Sequence, residues 1–478
     1  MNNKTYEQAR QARDPRFDGR FFVGVKTTGV YCRPVCPVKM PRAANVLFFA
    51  TAAAAAEAGF RPCLRCRPET APGTPAWQGT STTVARGLRL IGQGALDEGS
   101  VEALSDRLGV SARHLRRLFI EHLGASPIAI AQTRRLHFAK RLIDETAMTM
   151  TDIALASGYG SVRRFNHHFR QVYGRTPREL RGRRREQPSP ASTGAFVLRL
   201  PFRQPFDADA VFGFLAGRAT PGVEQVAAGI WSRTIRLGDE RGSICVRAGE
   251  REMICEVQLP SAKALMQVAS RVREVFDLNA DPGEIDDSLA RDEALAPLVA
   301  AHPGRRLPGA WDPFEVAVRA IVGQQVSVKG ATTIMGRIAQ RYGEAADGRL
   351  WFPAPSSLSQ LDPATLPMPR QRAEAIRELA RRVESGDVDL GAPSLADLQA
   401  SLVAIRGIGN WTAQYIAMRA IGDPDAFLSG DLVLQRVARH YLGLASEREL
   451  LERAEAWRPW RAYAGVHLWS IADRFQET

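Results

Sequence analysis

The spacing of apolar residues changes along the chain and divides it into four segments. Residues 83–186, and the chain beyond residue 280, place apolar residues three and four positions apart, which is the spacing of amphipathic helices. Residues 194–280 instead contain alternating stretches that are typical of strands, namely IWSRTIRL, SICVRAG and MICEVQL, with helical spacing at 208–217 and 261–275. The pattern predicts a multidomain, mostly α-helical chain with one mixed α+β segment.

Changes in composition mark three candidate boundaries between these segments. Residues 67–82 are rich in Pro, Gly and Thr, and residues 181–194 are basic and then rich in Pro and Ser, so both are predicted to be linkers. A weaker break lies at residues 278–287. A length of 478 residues suits three or four domains.

An internal repeat lies in the second segment. The stretch SARHLRRLF at 111–119 aligns without a gap with SVRRFNHHF at 161–169, and each follows a short amphipathic helix that ends at a glycine. Ser111 and Ser161 are predicted to be N-caps. The predicted core pairs are Leu115 with Phe119 and Phe165 with Phe169. A helix, a glycine turn and a basic second helix, present twice, predict a pair of helix-turn-helix motifs.

The second copy of the repeat, GYGSVRRFNHHFRQVYGRTPRELR, resembles the signature of the AraC-type transcription regulators. The resemblance implies two recognition helices that enter successive major-groove turns on one face of DNA. The residues predicted to contact DNA there are Arg113, Arg116, Arg117, Arg163, Arg164 and Asn166. All but Arg117 and Arg164 are predicted to read bases. A solvated basic helix face, or arginines that contact only phosphates, are the alternatives.

Charge is distributed unevenly between the two ends of the chain. The formal net charge is +13, but residues 1–190 hold 31 Lys and Arg against 15 Asp and Glu, a net charge of +16. The remainder holds 33 against 36, a net charge of −3. A basic excess confined to the front of the chain favours a polyanionic partner, and the repeated motif indicates double-stranded DNA. A solvated basic surface without a partner is the alternative.

Four of the six cysteines follow the spacing Cys32-x3-Cys36-x26-Cys63-x2-Cys66. Two close pairs separated by a few tens of residues predict one zinc ion held by four thiolates. The polar N-terminus, and the lack of an apolar run of about 18 residues, indicate a cytosolic, bacterial-like protein, in which disulfides are rare. The other two cysteines, Cys245 and Cys255, are predicted to be buried or incidental thiols.

Basic residues surround the cysteine cluster and would let DNA approach it. They are Lys26, Arg33, Lys39, Arg42, Arg61, Arg65 and Arg67. Thiolates bound to zinc stay deprotonated and nucleophilic at neutral pH. A purely structural zinc site is the alternative, and the spacing does not distinguish one cysteine from another.

The stretches GVKTTGVYCRPVCPVK, NVLFF and AGFRPCLRCRP resemble the N-terminal domain of the Ada adaptive-response proteins over residues 5–70. In that family a zinc-bound cysteine irreversibly takes the methyl group of methyl phosphotriesters in DNA. The resemblance implies that Cys32 is the acceptor and that Cys36, Cys63 and Cys66 are the remaining ligands. Methylation would remove one negative charge from the site, lower its repulsion of DNA phosphates and so switch on transcription. The family's second methyltransferase motif, Pro-Cys-His-Arg, does not occur in this sequence, so reversal of O6-methylguanine is not expected.

The stretch LVAIRGIGNWTAQYIAMRA places Gly407 and Gly409 between two helical runs, where a glycine hairpin is a natural seat for a phosphate. Asp431 follows at the start of another predicted helix. The hairpin and the downstream aspartate, with WDPFEVAVRAIVGQQVSV and WRPWRAYAGVHLW, resemble the helix-hairpin-helix base-excision glycosylases. The stretch LPFRQPFDADAVFGFLAGRATPGVE resembles the N-terminal domain of 3-methyladenine DNA glycosylase II.

This second resemblance implies that Asp431 is the catalytic carboxylate, which stabilises the sugar cation, activates water or does both. It implies a base pocket formed by Phe214, Gln324, Trp411, Tyr415 and Trp469, with Gly407 and Gly409 on the DNA. Aromatic rings suit N-alkylated purines, which carry a positive charge. An N-cap role for the aspartate, and core roles for Trp411 and Tyr415, are the alternatives.

Two positions depart from the patterns of the related glycosylases. Trp411 stands where the bifunctional enzymes have a lysine, so a monofunctional enzyme that leaves an abasic site is expected. Leu432 stands where the best-known 3-methyladenine enzyme has a tyrosine, which leaves the selectivity of the pocket open.

Together these features predict four domains and a fused function in the adaptive response to DNA alkylation. The domains are a small α+β zinc domain (1–75), an AraC-type double helix-turn-helix domain (80–186), an α+β glycosylase N-domain (194–282) and an all-α helix-hairpin-helix glycosylase domain (283–478). We expect promoter DNA, alkylated DNA and RNA polymerase as partners of a cytoplasmic, nucleoid-associated protein. The sequence does not determine the oligomeric state, and a monomer is expected. A regulator with a non-catalytic second half, or a repair enzyme that is merely tethered by its helix-turn-helix pair, are the alternatives.

Overall fold

The computed structural model describes residues 3–72, 82–97, 99–181, 195–391 and 395–475. The chain divides into two compact units. Unit 1 comprises residues 1–203, 237–242 and 249–271, and unit 2 comprises residues 204–236, 243–248 and 272–478. Most of each predicted linker, residues 73–81 and 182–194, lies outside the described residues. Within the described ranges no helix is both long and apolar enough to cross a bilayer.

Residues 3–72 form a small α+β module, called the zinc module below. Its elements are α1 (Asn3–Ala12), β1 (Phe22–Val25), β2 (Val30–Cys32), β3 (Val46–Phe49), α2 (Ala52–Glu57) and β4 (Arg61–Pro62). The four strands lie in the order β3-β1-β2-β4; β1 pairs antiparallel with β2 and β3, and β2 pairs parallel with β4. The alternation of the core residues brings Phe22, Tyr31 and the small face of α2 together.

Residues 82–181 form the helix-turn-helix module, which is entirely helical. Its elements are α3 (Thr82–Gly92), α4 (Val101–Arg107), α5 (Ala112–Leu123), α6 (Pro127–Glu145), α7 (Met150–Ala156), α8 (Val162–Tyr173) and α9 (Pro177–Arg181). The predicted N-caps are confirmed, because Ser111 and Ser161 each accept a hydrogen bond from the backbone N–H three residues on, at 3.2 Å. The predicted core pairs are fully buried. The helix α6 joins the two motifs.

The zinc module packs against both ends of α6. At the first end, Thr51 Oγ1 donates to the carbonyl of Leu123 at 2.9 Å, and Glu57 accepts from the Ser126 hydroxyl at 2.7 Å. Small alanines of α2 and of the start of α6 are buried against each other there. Midway, Tyr31 Oη and His137 Nε2 lie 2.8 Å apart. Burial lowers the pKa of His137 to about 4, so this contact is made by a neutral imidazole at pH 7.

The contact at the far end of α6 corrects one sequence prediction. Residues 68–70 form a 3₁₀ turn in which Pro68 and Glu69 are buried, although the sequence predicts a linker from residue 67. Glu69 pairs with Lys140 at 3.7 Å, and Arg67 pairs with Asp144 at 3.1 Å. Composition could not distinguish this packed turn from a linker, because Pro and Thr are common both in linkers and in tight turns.

The third segment contains a five-stranded sheet. Its elements are β5 (Ala195–Pro201), α10 (Ala208–Arg218), β6 (Glu224–Ala227), β7 (Ile230–Leu237), β8 (Glu240–Ala248), β9 (Glu252–Gln258) and α11 (Leu265–Val275). The strand order is β5-β9-β8-β7-β6. All three predicted strands are confirmed in place. Alternation buries one face of β8 and of β9, and in β7 Thr234 on the other face is buried as well. Cys255 is buried and Cys245 is exposed.

The C-terminal segment is helical around the buried helix α14. Its helices are α12 (Pro282–Leu289), α13 (Ala296–Ala301), α14 (Pro313–Val322), α15 (Val328–Tyr342), α16 (Pro355–Ser359), α17 (Arg370–Ser385), α18 (Leu395–Val403), α19 (Asn410–Ile416), α20 (Leu432–Val437), α21 (Glu447–Ala454) and α22 (Arg461–Trp469). Two π-helical turns, Ala417–Ile421 and Ala438–Leu442, extend α19 and α20. The prediction of an all-α domain was too strict, because β10 (Glu344–Ala346) and β11 (Arg349–Trp351) form an antiparallel hairpin. The strands are too short for periodicity to reveal.

A buried histidine in α22 makes the stability of unit 2 dependent on pH. Burial, Arg305 and His302 lower the pKa of His467 to about 4, and Asp207 opposes them. Its ring nitrogens have no hydrogen-bond partner among the described residues. The unfolded chain takes up a proton near pH 6.5, whereas the folded chain does so only near pH 4. Protonation of His467 therefore leaves the free energy of unfolding unchanged above pH 6.5 and lowers it by about 3 kcal/mol as the pH falls towards 4.

The expected result is therefore a His467→Gln variant whose unfolding free energy falls less steeply than that of the wild type between pH 6.5 and 4.5. Chemical denaturation at a series of pH values measures it. Asp277 and Asp286 have pKa values raised to about 6 by burial and act in the opposite direction, so the informative quantity is the difference between the two proteins. Parallel curves would contradict the prediction.

Candidate zinc and base-excision sites

The local fold of the zinc module brings the four spaced cysteines together. Cys32 ends β2, and a turn closed by the Cys36 N–H on the Arg33 carbonyl at 3.1 Å follows it. Cys63 comes directly after β4, which is paired with β2, and Cys66 lies in the next turn. All four side chains are buried, and their sulfur atoms lie within 4.8 Å of one another.

This donor set fits zinc. Four sulfurs around a tetrahedral zinc ion with Zn–S bonds of about 2.3 Å lie about 3.8 Å apart, which is compatible with the observed cluster. Four thiols so close cannot all ionise alone, and hydrogen bonding to Cys36 raises the pKa of the Cys32 thiol well above its usual value. The Arg33 backbone N–H points at the Cys66 sulfur, 3.4 Å away. A divalent cation would replace the shared protons and leave four thiolates.

Fewer basic residues are exposed around the cysteine cluster than the sequence suggests. Lys26, Lys39, Arg42, Arg61 and Arg65 are exposed. The other two have internal partners: Arg33 pairs with Asp18 and donates to the Thr70 hydroxyl, and Arg67 is held against the end of α6. These two arginines support the fold of the module, because their guanidinium groups satisfy buried acceptors. The other five cations remain exposed.

The recognition helices α5 and α8 present their predicted DNA-contacting faces. The five arginines at positions 113, 116, 117, 163 and 164 are exposed, and Asn166 is half-buried. One of them, Arg117, is hydrogen-bonded to His114 on its own helix at 3.2 Å. The opposite face of each helix carries the buried aromatic and leucine pairs, so the two faces divide as a helix-turn-helix motif requires.

In unit 2, the turn between α18 and α19 forms the predicted hairpin. Gly407 has φ +97°, and a Cβ there would lie 3.3 Å from Ala375 Cβ, so only glycine is unstrained. Gly409 starts α19, which no side chain caps. Gln324, at the end of α14, donates to the Gly407 carbonyl and to Thr412 Oγ1, both at 2.9 Å. Gln324 therefore lies against the hairpin and stabilises it through these two hydrogen bonds.

Asp431 lies at the start of α20 and accepts hydrogen bonds from residues of three helices. Its Oδ1 accepts from the backbone N–H groups of Val433 and Leu434 at 3.1 and 3.0 Å, which is the N-cap role. It also accepts from Trp469 Nε1 at 3.2 Å, and its Oδ2 accepts from Trp411 Nε1 at 3.1 Å. A cap needs only the first two bonds. The two indoles, from α19 and α22, fix the carboxylate in an orientation that a cap does not require.

The predicted pocket residues form a row that leads away from the carboxylate. The Trp411 ring stacks on Tyr415 with centroids 5.6 Å apart and an interplanar angle of 21°. Tyr415 is bound by Arg419, whose guanidinium lies 4.6 Å from the centroid of Phe214. Trp469 contacts the carboxylate from another helix. The structure thus brings together four of the five predicted pocket residues around Asp431 and Tyr415.

Sequence reasoning missed the arginines of this row. Arg218 lies with its guanidinium 3.8 Å from the Phe214 centroid, and Arg419 lies one helical turn after Tyr415. Both stand four residues after a predicted pocket aromatic. That i, i+4 spacing was a usable signal, because residues so placed share a helix face. Leu432, which follows Asp431, is 74% exposed, more than any other large apolar side chain in the described part of the chain.

Family models cover most of the chain in four consecutive matches. They are the "Metal binding domain of Ada" at residues 5–69, a "Helix-turn-helix domain" at 104–183, the "AlkA N-terminal domain" at 197–312, and the "HhH-GPD superfamily base excision DNA repair protein" at 318–462. With the geometry above, these matches confirm the predicted fold class and the zinc cofactor. They also confirm DNA as the partner of the chain.

Two relatives and one solved structure are similar to this chain. The "Probable bifunctional transcriptional activator/DNA repair enzyme AlkA" of Mycobacterium tuberculosis is 42% identical over 475 residues, with coverage of 98% of this chain and 96% of that protein. The "DNA-3-methyladenine glycosylase 2" of Escherichia coli is 34% identical over 279 residues, with coverage of 56% and 95%. The 3-methyladenine DNA-glycosylase structure from Archaeoglobus fulgidus covers 59% of this chain and 100% of its own, with a TM-score of 0.51. At 21% identity this last likeness concerns the fold alone.

Proposed function

This chain belongs to the family of bifunctional transcriptional activators and DNA repair enzymes of the AlkA type, and from that premise we propose that it both accepts methyl groups from DNA and releases alkylated bases. The observation that carries the base-release half is Asp431, a carboxylate held between two indoles beside a glycine hairpin. The observation that carries the methyl-acceptor half is the buried cluster of four cysteine sulfurs in a module packed on α6, the helix that joins the two helix-turn-helix motifs.

Base release follows from the charge that develops on the sugar. When the N-glycosidic bond breaks, its electron pair leaves with the base, and the sugar becomes positively charged at C1′. We propose that the Asp431 carboxylate stabilises that charge and accepts a proton from the attacking water. A base that is alkylated on a ring nitrogen already carries a positive charge and leaves neutral, so no general acid is needed. The flipped base would stack on the Trp411–Tyr415 row.

Methyl transfer follows from the nucleophilicity of thiolates. When bound, zinc keeps the four cysteines deprotonated at neutral pH. We assign Cys32 as the acceptor: its sulfur attacks the methyl carbon, the S–C bond forms, the C–O bond breaks, and the phosphodiester leaves with the electron pair as an anion. Exposed cations such as Arg61 and Arg65 would hold the DNA backbone. Loss of one thiolate charge lowers the repulsion of phosphates by the module.

The regulatory half requires further partners. We propose that the methylated protein binds promoter DNA through α5 and α8, with Arg113, Arg116, Arg163 and Asn166 reading bases, and then engages RNA polymerase. We further propose that it acts as a monomer in the cytoplasm, on the nucleoid. If the recognition helices serve only as a tether, affinity will be equal for promoter and random fragments before and after methylation.

One assay tests both halves of the proposal. The zinc-loaded protein is incubated with DNA treated with a methylating agent, and the released bases and the mass of the Cys32 peptide are both measured. We expect free methylated purines together with a peptide that is heavier by one methyl group. Methylation without base release would leave a regulator with a non-catalytic second half. If neither methylation nor base release occurs, the proposal is refuted.

The released product is expected to be an intact abasic strand. Strand cleavage of the lyase type needs an amine that forms a Schiff base with C1′, and the only lysine between residues 272 and 478 is Lys329. Trp411 occupies the position next to the carboxylate. Denaturing gels should therefore show cleavage only after alkali, and borohydride should trap no covalent complex. A covalent protein–DNA complex that borohydride still traps in a Lys329→Arg variant would contradict this expectation most strongly.

A further inference from the structure

A surface cavity of about 510 Å³ lies beside the last turns of α15, and no step of the proposed mechanism uses it. One side is lined by Arg337, Gln340 and Arg341 of α15, which are all exposed. The other side includes Thr365, in the 3₁₀ turn Pro363–Thr365 that follows α16. A guanidinium group carries a positive charge and only donates hydrogen bonds. Two of them in one concavity make the cavity suitable for an anion.

No acid neutralises the two arginines of the cavity. The helix α15, with the sequence VKGATTIMGRIAQRY, contains neither Asp nor Glu. In the part of the chain that the structure describes, neither Arg337 nor Arg341 forms a salt bridge. Two acids that flank the cavity in the sequence are engaged elsewhere. Glu344 pairs with an arginine of β7 at 3.4 Å, and the Asp362 carboxylate accepts from a backbone N–H of the 3₁₀ turn at 3.0 Å.

The arginines of α17 differ from those of the cavity, because acids on their own helix pair with them. Glu378 pairs with Arg381 at 2.8 Å and with Arg382 at 2.7 Å. Arg370 pairs with Glu374 at 2.9 Å. Interspersed charges of both signs are typical of a surface that serves solubility. A concave site lined by one sign of charge instead concentrates ions of the opposite sign.

The surface along α15 connects the cavity to the glycine hairpin. Residues 365–372 run beside α15 and are held at both ends. Tyr342 Oη hydrogen-bonds Thr365 Oγ1 at the cavity, and Arg372 Nη2 donates to Gln325 Oε1 at 3.3 Å at the other end. Gln325 follows the glutamine that binds the hairpin. Because α15 has 15 residues, the cavity lies about 20 Å from the hairpin, the rise of about six base pairs.

We propose that this cavity is a second contact site for the DNA phosphate backbone, in which Arg337 and Arg341 bind the duplex about six base pairs from the base that is released. DNA is the partner of the chain, and a phosphodiester is an anion that guanidinium groups bind well. Residues 191–478 carry a net charge of −3, so unit 2 needs local cations to hold DNA. The proposal rests on the proposed function in one respect, since the hairpin must lie on the DNA.

The test combines a change in the protein with a change in the DNA. The full-length protein acts on a duplex with one 7-methylguanine, whose phosphates about five to seven base pairs away on either side are native or are neutral methylphosphonates. We expect Arg337→Gln with Arg341→Gln to make the fall of log(kcat/KM) with log salt shallower by about 1.8 on the native duplex, the slope of two phosphate contacts. The change should appear in KM. The neutral duplex should give the wild type the same shallower slope and leave the variant unchanged.

The matched control is Arg381→Gln with Arg382→Gln, which removes the same charge from arginines that are already paired and should keep the wild-type slope. Equal slopes for the wild type and the Arg337 and Arg341 variant overturn the contact, and so does a variant that still responds to the neutral phosphates. The same cycle, measured as binding to a duplex with an abasic-site analogue, requires no base release. A protein that shows the contact there but releases no base would therefore refute the proposed function alone.

Discussion

Replacing Asp431 with asparagine is expected to lower the rate of base release about 10²- to 10⁴-fold, the usual cost of losing a group that stabilises charge or moves a proton in the transition state. Asparagine has nearly the same shape, so the packing around α20 is retained. Its amide lacks the negative charge that opposes the developing sugar cation. Release of 3-methyladenine from methylated DNA under single-turnover conditions measures the effect.

The asparagine variant separates catalysis from folding. Asparagine is as good an N-cap as aspartate, so the bonds from Val433 and Leu434 have an equivalent acceptor. Asp431→Ala removes the cap as well and should cost about 1 kcal/mol of stability. If both variants lose activity but only alanine lowers the melting temperature, the carboxylate is catalytic. Wild-type rates in the asparagine variant would reduce Asp431 to a helix cap.

The helices and strands near the site were predictable because their patterns are local. Ser111 and Ser161 cap their helices as expected, since a cap depends on a few neighbouring residues. The cysteine spacing likewise predicted the sulfur cluster. In the structure the two close pairs lie at the ends of the paired strands β2 and β4, which brings their sulfur atoms together. Burial does not single out Cys32, which is 4% exposed against 9% for Cys36. Its role as acceptor stays a prediction.

Contacts between distant segments were not predictable. The bonds from Trp411 and Trp469 to Asp431 join three helices, and nothing in their sequence spacing requires that the indoles point at one carboxylate. The same holds for Arg33, which the sequence offers as a DNA contact and the structure ties to Asp18. A charge pattern counts cations but does not show which of them already have partners.

The packing of the zinc module on α6 has a consequence for regulation. The strand β2 carries Cys32 at its end and, one residue earlier, Tyr31, which contacts α6 through His137. The helix α6 separates the two recognition helices, whose spacing sets the register on DNA. Whatever holds the zinc module folded therefore also supports the helix that spaces α5 and α8.

Removal of zinc is accordingly expected to unfold the zinc module and to weaken promoter binding. Metal binding of this kind contributes about 10–16 kcal/mol, which exceeds what a core of this size supplies. Without the metal, the contact of Thr51 with the end of α5 and the contacts of Tyr31 and Glu69 with α6 would be lost. A Cys66→Ser variant should lose bound zinc, methyl transfer and promoter affinity, whereas base release by unit 2 should stay within about twofold of wild type.

Hydrogen exchange followed by mass spectrometry reports the coupling directly. We expect faster exchange in α6 of Cys66→Ser than of wild type, because α6 loses the partners that bury its flank. Cys245→Ser is the matched control, since that exposed thiol lies outside the cluster and its loss should change neither zinc content nor exchange. If α6 stays protected while zinc is lost, the zinc module does not stabilise the DNA-binding helices. Any regulation would then have to act through charge alone.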